Sequence, residues 1–201
     1  MLYLYFCTMK KARIAIFASG TGTNARALME YFSTKEHIHV EHLISNKEDC
    51  GAIVHAKRYQ VDVKIFSDEN ISDGEIVNHF LQQKKIDFIV LAGFLRKIPL
   101  SVIQSFPNKI INLHPALLPN FGGKGMYGKF VHAAVLNAKE KESGITIHTV
   151  NENYDQGDYI AQFYTPVLED ETVSSLEKKI RELEQRYFSC VVDGYINSII
   201  K

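Results

Sequence analysis

Arg13-Ile-Ala-Ile-Phe-Ala18 runs straight into Ser19-Gly-Thr-Gly-Thr-Asn24, and this junction decides the fold. The first half is a short apolar run. The second half leads into a segment with apolar residues at Ala25, Leu28 and Met29, which Asn24 is expected to cap. Strand, glycine loop and helix in that order open a parallel crossover unit. The pattern then repeats: 38–44 reads as a strand, 48–59 as a helix, 63–66 as a strand and 72–84 as a helix. Ile86 to Ala92 and Lys109 to Leu113 are continuous apolar runs of the kind buried on both faces of a sheet, so they are expected at its centre.

After Leu113 the pattern changes. His114-Pro115 and Pro119 are followed by Gly122, Gly123, Gly125 and Gly128 before a helical stretch from Phe130 to Ala138. A long, shaped loop inside a small domain usually serves a function. Strand-like runs at 144–150 and 159–167 flank a polar connection at 151–158. Residues 172–200 then read as a closing amphipathic helix with Leu176, Ile180, Leu183 and Tyr187 on one face. The sum is one α/β domain over residues 12–201, Rossmann-like, with a mostly parallel central sheet, helices on both faces and antiparallel strands near the C-terminus. Residues 1–11 are expected to form an N-terminal extension, with 1–8 either upstream sequence or a misassigned start. Its apolar stretch is too short to span a bilayer, and Lys10-Lys11 follows it instead of preceding it as in a signal peptide.

A chain of 201 residues suits a single domain that buries its own core. Lys plus Arg and Asp plus Glu each total 23, so no bulk positive field exists to hold nucleic acid, and any anion site must be local. Cys7, Cys50 and Cys190 are scattered and odd in number, which argues against a disulfide framework or a zinc site and for a cytoplasmic location. No metal is expected. No segment approaches about eighteen uninterrupted apolar residues, so no membrane partner is expected either.

The loop 19–24 offers free amides and the positive end of a helix dipole to an anion such as phosphate. Gly20, Gly22 and Ala25 also satisfy a dinucleotide fingerprint, but Ser45-Asn-Lys47 stands where a ribose-binding acid would end the second strand. A tight turn that binds nothing is the remaining alternative. Downstream, Gly123 to Lys129 mimics a phosphate loop, yet Phe130 replaces the magnesium-binding hydroxyl and no buried strand precedes it.

Asn112 and His114 lie two apart at the carboxyl end of an expected strand, so both side chains point into the crevice where open α/β sheets bind ligands. Pro115 holds His114 toward extended geometry. Of the other histidines, His37, His39, His42, His55 and His79 have unremarkable contexts; His132 and His148 are less easily dismissed.

Asn112-Leu-His-Pro-Ala-Leu-Leu-Pro119 resembles the signature of the folate-dependent formyltransferases, and the similarity runs from about Lys11 to about Gly194. Supporting segments are 19–24, 45–47, Leu91-Ala-Gly-Phe-Leu-Arg96, Gly144-Ile-Thr-Ile-His148 and Asp155-Gln-Gly-Asp158. The resemblance implies transfer of a formyl group from 10-formyltetrahydrofolate, as co-substrate, to the amine of phosphoribosylglycinamide in purine synthesis. It further implies His114 as general acid, Asn112 as ligand of the formyl oxygen and Asp155 as the carboxylate that raises the basicity of His114. Gly22, Thr23 and Asn24 would hold the substrate phosphate and Glu184 its glycinamide part. Leu95, Arg96, Lys97 and Ile98, with Asn112 and the 151–155 loop, would surround the folate. The partners so implied are these two small molecules, with the protein a monomer or homodimer.

The chemistry agrees with that assignment. An amine attacking a formyl carbon builds negative charge on oxygen, which an amide donor and an imidazolium stabilise where it develops. A nearby carboxylate is expected to bring the imidazole pKa toward or above neutrality. Two features depart from relatives. Phe66 to Ser72 lacks an arginine for the folate tail, for which Lys64 is the available substitute, and the loop 121–129 is richer in glycine. A formyl-folate hydrolase would carry an added N-terminal domain and a methionyl-tRNA formyltransferase an added C-terminal one, so at this length neither is expected. A non-catalytic phosphate-ester-binding protein is the alternative outside enzymes.

Overall fold

Alternate residues of β1 (Ala12–Phe17) belong to two different cores. Ala12, Ile14 and Ile16 pack with Leu28, Ala52 and Ile180; Ala15 and Phe17 pack with Val77, Leu81 and Val102. A strand whose two faces are both buried must lie inside a sheet covered by helices on either side. The computed structural model, which describes residues 11–200, has that architecture. The extension expected at 1–11 lies outside the described residues, Lys11 apart, as does Cys7.

In chain order the further elements are α1 (Thr23–Phe32), β2 (Ile38–Ser45), α2 (Ala52–Arg58), β3 (Asp62–Ile65), α3 (Asp68–Asp73), α4 (Glu75–Gln83) and β4 (Phe88–Leu91). Then follow α5 (Leu100–Ser105), β5 (Ile110–His114), α6 (Lys129–Asn137), β6 (Glu142–Thr149), β7 (Tyr159–Pro166) and α7 (Val173–Ile199). The sheet order is β3-β2-β1-β4-β5-β6-β7, parallel through β5, with β6 and β7 antiparallel. Helices α1, α2 and α7 cover one face and α4 and α5 the other. The strand order reverses between β1 and β4, whose exits lead to helices on opposite faces, and that divergence opens a crevice at the carboxyl ends.

Two local readings are corrected and one further helix is found. Gly22, at φ 80°, is the N-cap of α1; Asn24 lies inside the helix and its side chain bonds elsewhere. The single helix expected at 72–84 is two, because Gly74 at φ 81° ends α3 and starts α4. Helix α5, entered through Pro99, is too short to show a periodic pattern in sequence. The closing helix fits its expected span and starts with a Thr172–Ser175 capping box. Its Tyr187 stacks on Phe163 of β7 at 3.8 Å between ring centroids, fixing the helix across the edge strand.

Candidate active site

A crevice of about 700 Å³ lies at the carboxyl ends of β1, β4 and β5, roofed by the glycine loop and walled by α7. That volume is in the range that holds a small-molecule ligand. The crevice is lined by Gly22, Thr23 and Asn24 at one end and Leu95 to Ile98 at the other, with Asn112, His114, Asp155 and Glu184 between them.

Asn112 and His114 are the outward-facing pair at the end of β5, opposite His148 and Thr146 of β6. Antiparallel pairing places Asn112 Nδ2 3.0 Å from Nε2 of His148. His114 is buried, 3% exposed. Its Nε2 donates to the carbonyl of Phe121 at 2.9 Å, and its Nδ1 faces Asp155 Oδ2 at 3.6 Å. Asp155 Oδ1 lies 3.6 Å from Nε2 of His148. Asp155 itself adopts a left-handed φ of 56°, uncommon for a non-glycine residue, while the amide of Gly123 donates to its Oδ2 at 2.8 Å. The glycine loop thus supplies one backbone group to each member of the pair: a carbonyl for His114 and an amide for Asp155.

The expected effect of Asp155 on His114 is present but outweighed. Burial pushes the His114 pKa below its ordinary 6.5, and the Asp155 charge and the Phe121 carbonyl raise it only in part. His114 therefore rests neutral at pH 7, with its proton on Nε2. Asp155 remains a carboxylate: burial raises its pKa, but the neighbouring His148 and His114 rings and the Gly123 amide together hold it below the usual value.

At the other end, no side chain caps α1, so its first-turn amides stay available to an anion. A Cβ on Gly22 would fall 2.4 Å from Cα of Ala52, which is why the loop can lie flat against α2. Asn24 Nδ2 donates to Glu184 Oε2 at 2.9 Å, while its buried Oδ1 has no protein partner. Glu184 is half-buried on α7, and desolvation raises its pKa. At the wide end the walls are apolar, with Leu91, Ile98 and Val150 lining the crevice and exposed Leu95 and Tyr154 at its mouth. Lys97 Nζ sits 5.5 Å over the Tyr154 ring. Arg96 forks onto Asp68, which Asn46 also holds through its Nδ2 at 2.8 Å. Lys64, the suggested tail contact, instead lies over the rings of Phe66 and Phe80 and does not line the crevice.

Sequence reading left His132 open and missed two contributors, Arg181 and Glu177. His132 of α6 is buried against the crevice with an unpartnered Nδ1. Arg181 and Glu177 of α7 line the same wall and pair with each other at 2.5 Å. Their helical spacing from Glu184, one and two turns back, was the available signal.

Residues 12–192 match the family described as Formyl transferase. A protein named phosphoribosylglycinamide formyltransferase, chloroplastic, from Arabidopsis thaliana is 38% identical over 96% of this chain and 68% of its own length. The phosphoribosylglycinamide formyltransferase of Haemophilus influenzae is 31% identical over 93% of this chain and 87% of its own. Among solved structures, the phosphoribosylglycinamide formyltransferase of Anaplasma phagocytophilum superposes with a TM-score of 0.83 at 30% identity, covering 91% of this chain and 85% of that one. In sequence and in fold, this chain belongs to the formyl transferase family, among relatives that are phosphoribosylglycinamide formyltransferases.

Proposed function

We propose that this protein transfers a formyl group from 10-formyltetrahydrofolate to the amine of phosphoribosylglycinamide, with Asn112, His114 and Asp155 as its catalytic residues. The observation that carries the reading is the convergence of all three on one crevice whose far end is an uncapped helix N-terminus. The folate supplies the formyl carbon and, as leaving group, a nitrogen that must be protonated.

Asn112 donates an amide hydrogen to the formyl oxygen, in the place where negative charge grows during attack. A preorganised donor of this kind contributes roughly 10²–10³ in rate. His114, neutral at rest, offers the lone pair of Nδ1. At 3.6 Å from Asp155 that nitrogen is just beyond hydrogen-bond length, and a proton on it converts the gap into a charged pair. The proton lost by the attacking amine is taken up there, and His114, once charged, is the acid that returns it to the departing nitrogen. Burial keeps the unprotonated state at rest; the negative charge that grows on the formyl oxygen adds to the standing pull of the Asp155 carboxylate and favours the imidazolium as reaction proceeds.

The phosphate binds the amides of Gly22, Thr23 and Asn24, with Arg181 as the cation on that wall. Glu184, half-buried and tied to Asn24, meets the polar glycinamide part. Leu95 to Ile98 and the 151–155 loop cover the folate ring system, and Arg96, of whose donors only Nε and one on Nη2 are used by Asp68, faces the anionic tail. The test mixes protein with both substrates and repeats the assay without the amine. Folate release that requires the amine supports the reading; equal release without it identifies a hydrolase.

A further inference from the structure

His148 lies on β6 directly across the sheet from Asn112, 1% exposed, with both ring nitrogens engaged. Its Nδ1 is 2.7 Å from the carbonyl of Thr149. A carbonyl only accepts, so Nδ1 carries the proton. In the neutral ring Nε2 is then a bare lone pair, and the group 3.0 Å from it is the amide nitrogen of Asn112. One Asn112 hydrogen is thereby committed to His148. The carboxamide is planar, so its rotation is fixed and the second Nδ2 hydrogen points along one line. Left unpartnered, the same amide turns freely between presenting its NH₂ and presenting its oxygen, and an oxygen repels a developing oxyanion.

We infer that His148 is the positioning residue of the reaction: the Thr149 carbonyl sets its tautomer, and its Nε2 sets which face of the Asn112 amide meets the formyl oxygen. This rests on the assignment of Asn112 as the oxygen ligand. The ring, 1% exposed, acts through Asn112. Asp155, 3.6 Å from the same Nε2, is beyond hydrogen-bond length and leaves Asn112 as the partner of the neutral ring.

Side-chain replacements separate the two nitrogens, because a glutamine oxygen reaches the place of Nε2 whereas an asparagine reaches only that of Nδ1. His148→Gln is expected to hold kcat within about tenfold of wild type. His148→Asn is expected to lose about 10²-fold in kcat, the size of a lost oxyanion donor, with KM for both substrates within about twofold. Equal losses in the two variants, or a loss that appears in KM, would overturn the role. Asn112→Ala, measured alongside, separates this claim from the one beneath it. An unchanged kcat there removes Asn112 from the reaction, whereas a low kcat there beside a normal His148→Asn overturns only the positioning. Ring-nitrogen NMR on the wild-type protein at neutral pH needs no variant to fold: protonated Nδ1 with bare Nε2 is the expected spectrum, and a proton on Nε2 contradicts it.

Discussion

His114 is pulled in opposite directions by its surroundings. Burial opposes charge on the ring, while the Asp155 carboxylate and the Phe121 carbonyl favour it, and burial wins. The carboxylate is thus a brake on a larger effect, and its removal has a definite sign. In a proton NMR titration, His114 is expected to protonate below the ordinary 6.5, and Asp155→Asn is expected to move it lower still. An upward movement in that variant would mean that the two side chains do not interact as described. His132 is a second case: burial lowers it too, and its buried Nδ1 has no protein partner.

At the scale of elements, the strand, loop and helix that begin with Arg13 were legible because both periodicities and the glycines sit in consecutive residues. The central strands were legible because burial on two faces leaves an unbroken apolar run. Asn112 and His114 could be placed together because a strand repeats every two residues. What the sequence withheld needed a third dimension. The partnership of Asn112 with His148 follows from antiparallel register, and Asp155 reaches His114 through a left-handed backbone turn that no pattern announces. The charge state of His114 depends on a sum over burial and three neighbours. Gly74 was visible, but its role as a break between α3 and α4 was not drawn from it.

The contact between the loop 19–24 and α2 belongs to this scale. Gly22→Ala forces a side chain into a left-handed φ, costing about 1–2 kcal/mol from backbone alone, and drives its Cβ against Ala52. Thermal unfolding at a lower temperature and a raised KM for the ribonucleotide, with kcat for folate-saturated enzyme less affected, are the expected results. A variant as stable as wild type with an unchanged KM would place the phosphate elsewhere.

Over the whole molecule, buried titratable groups tie stability to pH. His42, His114 and His132 all have lowered pKa values, each chiefly through burial. The unfolded chain therefore binds protons on these residues before the folded one does. Above about 6.5 the difference vanishes; below it stability falls, by up to about 1.4 kcal/mol per pH unit for each histidine. Glu184 works the other way, since its raised pKa lets the folded state take up a proton first as pH drops, and it offsets part of that loss. Three groups against one leave a net decline. A urea midpoint lower at about pH 5.5 than at about pH 7.5 is expected, and an equal or higher midpoint would show that these histidines are not buried as described.

The two ends of the crevice make different demands on one molecule. In the proposed reaction the uncapped start of α1 and the wall of α7 hold the ribonucleotide, whereas β5, β6 and the loop 121–123 position the groups that move the proton. Binding and chemistry are therefore separable. Kinetics of His114→Ala with 10-formyltetrahydrofolate and phosphoribosylglycinamide, set beside the ribonucleotide affinity of the same variant, tests this most directly. A kcat reduced at least about 10²-fold with affinity close to wild type is the expected result, and near-normal turnover would contradict the mechanism.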